Sequence, residues 1–133
     1  MATYNWGLDK AFLADVDLSA SQYYFVIPAS TSGYVKIAAT AAASVLGVLQ
    51  NDPKAGEVAT VRMLGFTKVR ANAESAASPV VFGGLVKSGS HGQAVGALNP
   101  AASSITAGVA MEAYATGSGA YIEIFLLPSG IRA

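Results

Sequence analysis

The chain has 133 residues, 53% of them hydrophobic and 12% charged, with a formal net charge of zero and no cysteine. That length supports one domain with a single core, and a neutral chain has no field to draw in nucleic acid or an anionic membrane. Disulfides, thiolate catalysis and zinc–thiolate sites are excluded outright.

Residues 1–20 differ in character from the rest of the chain. Tyr4, Trp6, Leu8, Phe12 and Leu13 are large apolar groups set among Asp9, Lys10, Asp15 and Asp17, with no β alternation running through them. The opening residues have neither a basic nor an apolar region of the kind a secretory signal needs. Leu8, Phe12 and Leu13 lie at helical spacing, which predicts one or two turns of helix between Gly7 and Asp15. The segment reads as an extended N-terminal arm whose Tyr4, Trp6, Leu8, Phe12 and Leu13 anchor on a neighbouring subunit or partner. Folding back as a lid on its own domain is an equal alternative.

Residues 21–133 read as a single β domain. Ser21 to Ile27 is a strand ended by Pro28, and Tyr34 to Ile37 is a second, after a Ser/Thr/Gly loop. The AATAAAS run from Ala38 to Ser44 is too short for a regular helix and predicts a single turn or an irregular loop. The longest uncharged apolar stretch, Ile37 to Leu49, is well below the roughly twenty residues needed to cross a bilayer, so a soluble protein is expected.

Val45 to Ala71 reads as strand, loop and continuing strand. A short apolar strand around Val48 meets the turn Asn51-Asp52-Pro53-Lys54-Ala55-Gly56, and a long β-branched strand begins at Val58. Val80 to Lys87, interrupted by Gly83-Gly84, predicts one bulged strand. Ser88 to Gly92 is a hairpin turn, Gln93 to Leu98 the returning strand, and Asn99 to Ser104 a loop. The closing segment runs from Gly108 through a Gly117-Ser118-Gly119 turn to Leu127. A gapless shift of sixty-one positions lays Gly47 on Gly108, Val48 on Val109, Ala59 on Ala120 and Val61 on Ile122, so residues 45–64 and 106–127 read as a duplicated hairpin. About eight short strands at this spacing predict a compact antiparallel β-barrel or sandwich.

No reactive constellation emerges. His91, the only histidine, sits in the turn SGSHG and has no second histidine or cysteine to complete a metal or nucleophile set. Asp15 and Asp17 lack the further oxygens of a calcium loop. Glu57, Glu112 and Glu123 are dispersed, so no carboxylate pair for acid–base work can be argued. Arg62, Lys68 and Arg70 form a basic strip too small for nucleic acid. The expectation is a non-enzymatic protein without cofactor or metal.

The segments Leu46-Gly47-Val48-Leu49, Ala55-Gly56-Glu57, Val58 to Met63 with Gly65, Gly108-Val109-Ala110-Met111-Glu112-Ala113 and Ile122-Glu123-Ile124-Phe125-Leu126-Leu127-Pro128 together resemble the bacteriophage capsid decoration, or cement, proteins of the DUF2190 type. The likeness covers about Gly33 to Pro128; the aromatic N-terminal twenty residues depart from it. The resemblance implies a β-tulip-like homotrimer on the outer surface of an expanded phage head, bridging major capsid protein subunits and stabilising the shell. Under it, Tyr4, Trp6, Leu8, Phe12 and Leu13 become candidate capsid or inter-subunit contacts. The competing reading is a glycan- or receptor-binding module of the virion surface, with Tyr23, Tyr24 or Tyr34 as stacking platforms.

Overall fold

A computed structural model describes residues 7–38, 45–73, 79–89, 91–97, 106–114 and 117–127. Among these, every regular element is a strand: β1 Gly7–Ala14, β2 Phe25–Pro28, β3 Tyr34–Ile37, β4 Gly47–Leu49, β5 Val58–Ala73, β6 Leu85–Ser88, β7 Ala94–Gly96, β8 Gly108–Ala110 and β9 Gly117–Leu126. The class is all-β, as composition and turn spacing predict.

The sixteen residues of β5 organise the rest. At about 3.3 Å per residue the strand reaches roughly 50 Å, long enough to serve two sets of partners in succession. Its first half pairs antiparallel with β1 and its second half antiparallel with β9, and the handover falls on Gly65, which lies opposite both Gly7 and Leu126. Gly65 has φ +114°, a backbone state that glycine adopts without steric cost.

Each half of β5 closes a ring of five strands. In the first ring β1 pairs parallel with β3, and the antiparallel pairs β3–β2, β2–β4, β4–β5 and β5–β1 complete the circuit. In the second, β5 pairs parallel with β7, and β7–β6, β6–β8, β8–β9 and β9–β5 complete it, again antiparallel. The wiring is the same twice over, with β5 serving as last strand of one ring and first strand of the other.

Period-two alternation fills both interiors. Along β5, Ala59, Val61, Val69 and Ala71 are fully buried, while Arg62, Lys68 and Arg70 face out. Ala14, Leu18, Val26, Val35, Leu49, Ala59 and Val61 form one cluster inside the first ring. The other cluster takes Val69, Ala71, Val86, Ile122, Ile124 and Leu126 from the second ring, but also Phe25 and Val48 from the outward side of β2 and β4. The outside of the first ring is therefore core for the second, which welds the two into one body. A polar thread crosses the same junction: the Gln50 amide donates to the hydroxyl of buried Thr67 at 2.9 Å, and Gln22 donates to the Gln50 carbonyl at 2.9 Å.

Several expectations change. The sheet is mixed, not purely antiparallel, because β3 and β7 return beside β1 and β5 in the same direction. Residues 7–14 are neither helix nor free arm: they form β1, since pairing along β5 and burial of Ala14 outweigh an apolar spacing that fits a helix equally well. Strand β2 starts at Phe25, because Ser21 to Tyr24 form a turn in which Tyr23 has φ +68°. Val80 to Lys87 is not one bulged strand; Val80 bridges to Tyr114, the chain turns at Val81–Gly84, and β6 begins at Leu85. Gly117-Ser118-Gly119 lies within β9, not in a turn. Nor does one gapless shift relate the two ribbons. Gly47 and Gly108 are sixty-one apart, yet Arg62, opposite Val48, corresponds to Phe125, opposite Val109, which is sixty-three. Tyr4, Trp6, the run 39–44 and the loop 98–105 lie outside the described residues.

Candidate interaction surface

Of the five expected contact residues, the three described ones share β1 but not one face. Phe12 packs against the first ring's cluster, with the Lys10 ammonium 5.8 Å from its ring centroid. Leu13 is half-buried beside Val58 and Tyr34, and Leu8 is 61% exposed opposite Leu64. Leu8 is thus a surface residue, while Phe12 contributes to packing.

The outer face of β5 and β9 gathers a second set that the sequence does not bring together. Its basic strip is not an open positive patch, because each cation is already engaged. Arg62 clasps Asp9 across β1–β5 with Nε–Oδ1 at 2.7 Å and Nη2–Oδ2 at 3.1 Å, and Nη1 donates to the Phe66 carbonyl at 2.9 Å. The Lys68 ammonium lies 5.7 Å from the Tyr23 ring centroid and the Arg70 guanidinium 5.6 Å from that of Tyr121, both within cation–π range. Tyr23 and Tyr121 meet edge to face at 5.7 Å, and Phe66 stacks obliquely on Phe125 at 5.0 Å. Left-handed backbone at a bulky residue is uncommon; here Tyr23 is held by its N–H to Leu49 O at 2.7 Å and by its carbonyl accepting from Arg70 N–H at 2.9 Å.

The expected stacking platforms are largely committed. Tyr23 is covered by Lys68 and Tyr121, Tyr24 accepts from the Gln93 amide at 2.9 Å, and Tyr34 is half-buried. His91 is exposed in its turn. Asp15 and Asp17 are exposed, and the Ser19 N–H donates to Asp17 Oδ1 at 3.0 Å. That bond and the hydrogen bond from the Ser19 side chain hold the Asp17 carboxyl below its ordinary value of 3.8, against an opposing effect of desolvation and with a lesser contribution from the Lys54 charge. Glu112 accepts from the Glu123 N–H at 3.0 Å, which ties two of the three dispersed glutamates together structurally. Among the described residues no group of three His, Asp or Glu side chains could hold a metal ion.

Besides Tyr121, which is 48% exposed, apolar surface remains on both rings. Leu8, Val16 and Val58 are 61, 49 and 54% exposed on the first ring, and Val81 and Phe82 are 46 and 72% exposed at a turn of the second. Sequence reasoning found only Leu8 among these; Val58 and Phe82 read as ordinary members of strands.

The chain matches no protein-family model and no curated protein. Its fold is similar to a solved structure, the head fiber gp8.5 N base of bacteriophage phi29, with a TM-score of 0.66 and 19% identity over 96% of this chain and 100% of that one.

Proposed function

We propose that this protein is a structural component of a bacteriophage virion, without enzymatic activity, that binds the outer surface of the expanded head. It stabilises the shell by bridging major capsid protein subunits, acting as a homotrimer of the cement-protein kind. The observation that carries this reading is the fold likeness to a phage head fiber base, which spans nearly all of both chains. The surface is consistent with it: Arg62, Lys68 and Arg70 are engaged within the chain, and apolar side chains stand exposed on both rings.

The physical logic is one of many weak contacts. Packed genome pushes outward on a shell, and a clamp touching several subunits must release all of them before they part, so modest affinities multiply. A trimer fits the local three-fold symmetry of such a shell.

The test mixes purified protein with expanded and unexpanded heads of its phage and sediments the particles. Saturable co-sedimentation with expanded heads, together with greater resistance of those heads to heat, is the expected result. Absence of binding to either head form would overturn the proposal. Tyr4 and Trp6 are tested in the same assay by alanine substitution, with Leu8→Ala alongside; weaker binding is expected from each. A deletion reaching Ser19 is the wrong instrument, because it removes β1 and with it one wall of the first ring.

A further inference from the structure

Because the two rings are wired alike, each contact between them can be compared with its counterpart at the ends of the chain. The parallel pairs Ala14–Val35 and Ala71–Ala94 set the correspondence: Leu13 answers to Arg70 and Gly33 to Gly92. The pairs Leu13–Val58 and Arg70–Tyr121 then match Val58 with Tyr121.

The turn leading into β2 has its double in the turn leading into β6. Tyr24 N–H donates to Ser21 O at 3.1 Å, and Gly84 N–H to Val81 O at 2.9 Å. Tyr23 N–H reaches Leu49 O at 2.7 Å, and Gly83 N–H reaches Ala110 O at 2.8 Å. Leu49 N–H returns to Tyr24 O at 3.0 Å, and Ala110 N–H to Gly84 O at 2.9 Å. Even the unusual backbone repeats, with φ +68° at Tyr23 and +79° at Gly83.

The first of these turns is the plug of the internal contact. The Tyr23 carbonyl accepts from Arg70 N–H at 2.9 Å, Phe25 N–H donates to Gly92 O at 2.7 Å, and the Tyr23 ring lies against Tyr121. The turn thus enters between β5 and Gly92, two residues ahead of β7, and a Cβ on Gly92 would collide with Ile37 and the Phe25 carbonyl. The second turn, Val81–Gly84, has the same shape but enters nothing within the described part of the chain. Gly83 has open space around it, Val81 and Phe82 are exposed, and no described backbone bond outside the strand ladders engages the Gly83 carbonyl or the Leu85 amide.

The matching socket exists at the other end of the chain. Gly33 has open space where Gly92 is covered, and Val58 stands in the place of Tyr121, each with about half of its surface exposed, 54 and 48%. In this socket Leu13 N–H donates directly to Gly33 O at 2.9 Å, closing the seam that Tyr23–Phe25 holds open in the second ring.

We propose that copies of this chain associate head to tail: the Val81–Gly84 turn of one copy seats on Leu13, Gly33 and Val58 of the next, repeating between copies the contact that joins the two rings within each. Seating exchanges the Leu13–Gly33 bond for two, Leu13 N–H to the incoming Gly83 carbonyl and the incoming Leu85 N–H to Gly33 O, and covers Val58, Val81 and Phe82. A contact of this heterologous type closes into a ring where its rotation permits and otherwise propagates; three copies are the closure that suits the proposed trimer. The inference rests on the self-associating part of the proposed function and not on capsid binding, so purified protein alone tests it.

The chain lacks cysteine, so a Val58→Cys, Phe82→Cys double variant reports on this contact without interference. Mild oxidation at high micromolar concentration is expected to give covalent multiples of the chain mass, and their absence, or a bond within one chain, would overturn the proposal. By sedimentation velocity the parent is expected to associate, whereas Val58→Lys and Phe82→Lys are each monomeric with unchanged melting temperature, both positions being exposed. An equimolar mixture of the two lysine variants retains one competent junction and is expected to give dimers and nothing larger. A monomeric parent, or a lysine variant that assembles as the parent does, contradicts the contact.

Discussion

At the scale of single residues, the two rings make the same demand at the same place. A Cβ on Gly47 would fall on the carbonyl oxygen of Arg62, and one on Gly108 on that of Phe125. Both obstacles are backbone atoms in a strand ladder and cannot swing aside. Gly47→Ala and Gly108→Ala are therefore each expected to cost about 2–3 kcal/mol in urea unfolding, through forced separation of β4 from β5 and of β8 from β9. Asp17 gives a pH prediction of known sign. Its carboxyl is held low when folded, so its stabilising contribution is complete above the ordinary carboxylate value and disappears as pH falls through the lowered one. Asp17→Asn should lower stability at neutral pH and converge with the parent in acid, as read from melting temperatures across that range. Some of this is legible in the sequence: Gly47 and Gly108 stand at matching points of a visible repeat. Tyr23 is not, because nothing in SQYYFV marks its first tyrosine for left-handed backbone; the carbonyl of Leu49 and the amide of Arg70, distant in sequence, impose it.

At the scale of elements, the shared strand governs how the protein comes apart. Val61 faces one cluster and Val69 the other along a single β5, and Phe25 and Val48 carry the first ring's outer side into the second ring's core. Neither ring can open without exposing core of its neighbour. Leu49→Ala in the first cluster and Ile124→Ala in the second are each expected to remove about 2–5 kcal/mol. Both should shift one common unfolding transition, seen identically by near- and far-ultraviolet circular dichroism. Two separable transitions would contradict the shared-strand account. The strong alternation from Val58 to Met63 makes β5 readable from sequence, since a half-buried strand must alternate. Strand β1 is obscured because Leu8, Phe12 and Leu13 satisfy helical spacing too, and only the partner strand decides between the two.

At the scale of the molecule, closing both rings pairs most strand edges within the chain and leaves recognition to side chains and turns. Arg62, Lys68 and Arg70 look like a basic strip in sequence but are engaged by Asp9, Tyr23 and Tyr121 once folded. The exposed apolar groups are instead Leu8, Val16 and Val58 on one ring and Val81, Phe82 and Tyr121 on the other. No sequence periodicity announces this, because Val58 and Phe82 read as ordinary members of strands and only the folded arrangement of β5 and of the Val81–Gly84 turn leaves them exposed. Electron cryo-microscopy of the virions proposed to carry this chain tests the proposed role most directly. The expected result is density for paired five-stranded rings on the outside of the head, each copy touching more than one capsid subunit and a neighbouring copy through the Val81–Gly84 turn. Particles lacking this protein, or carrying it as isolated copies on single capsid subunits, would contradict it.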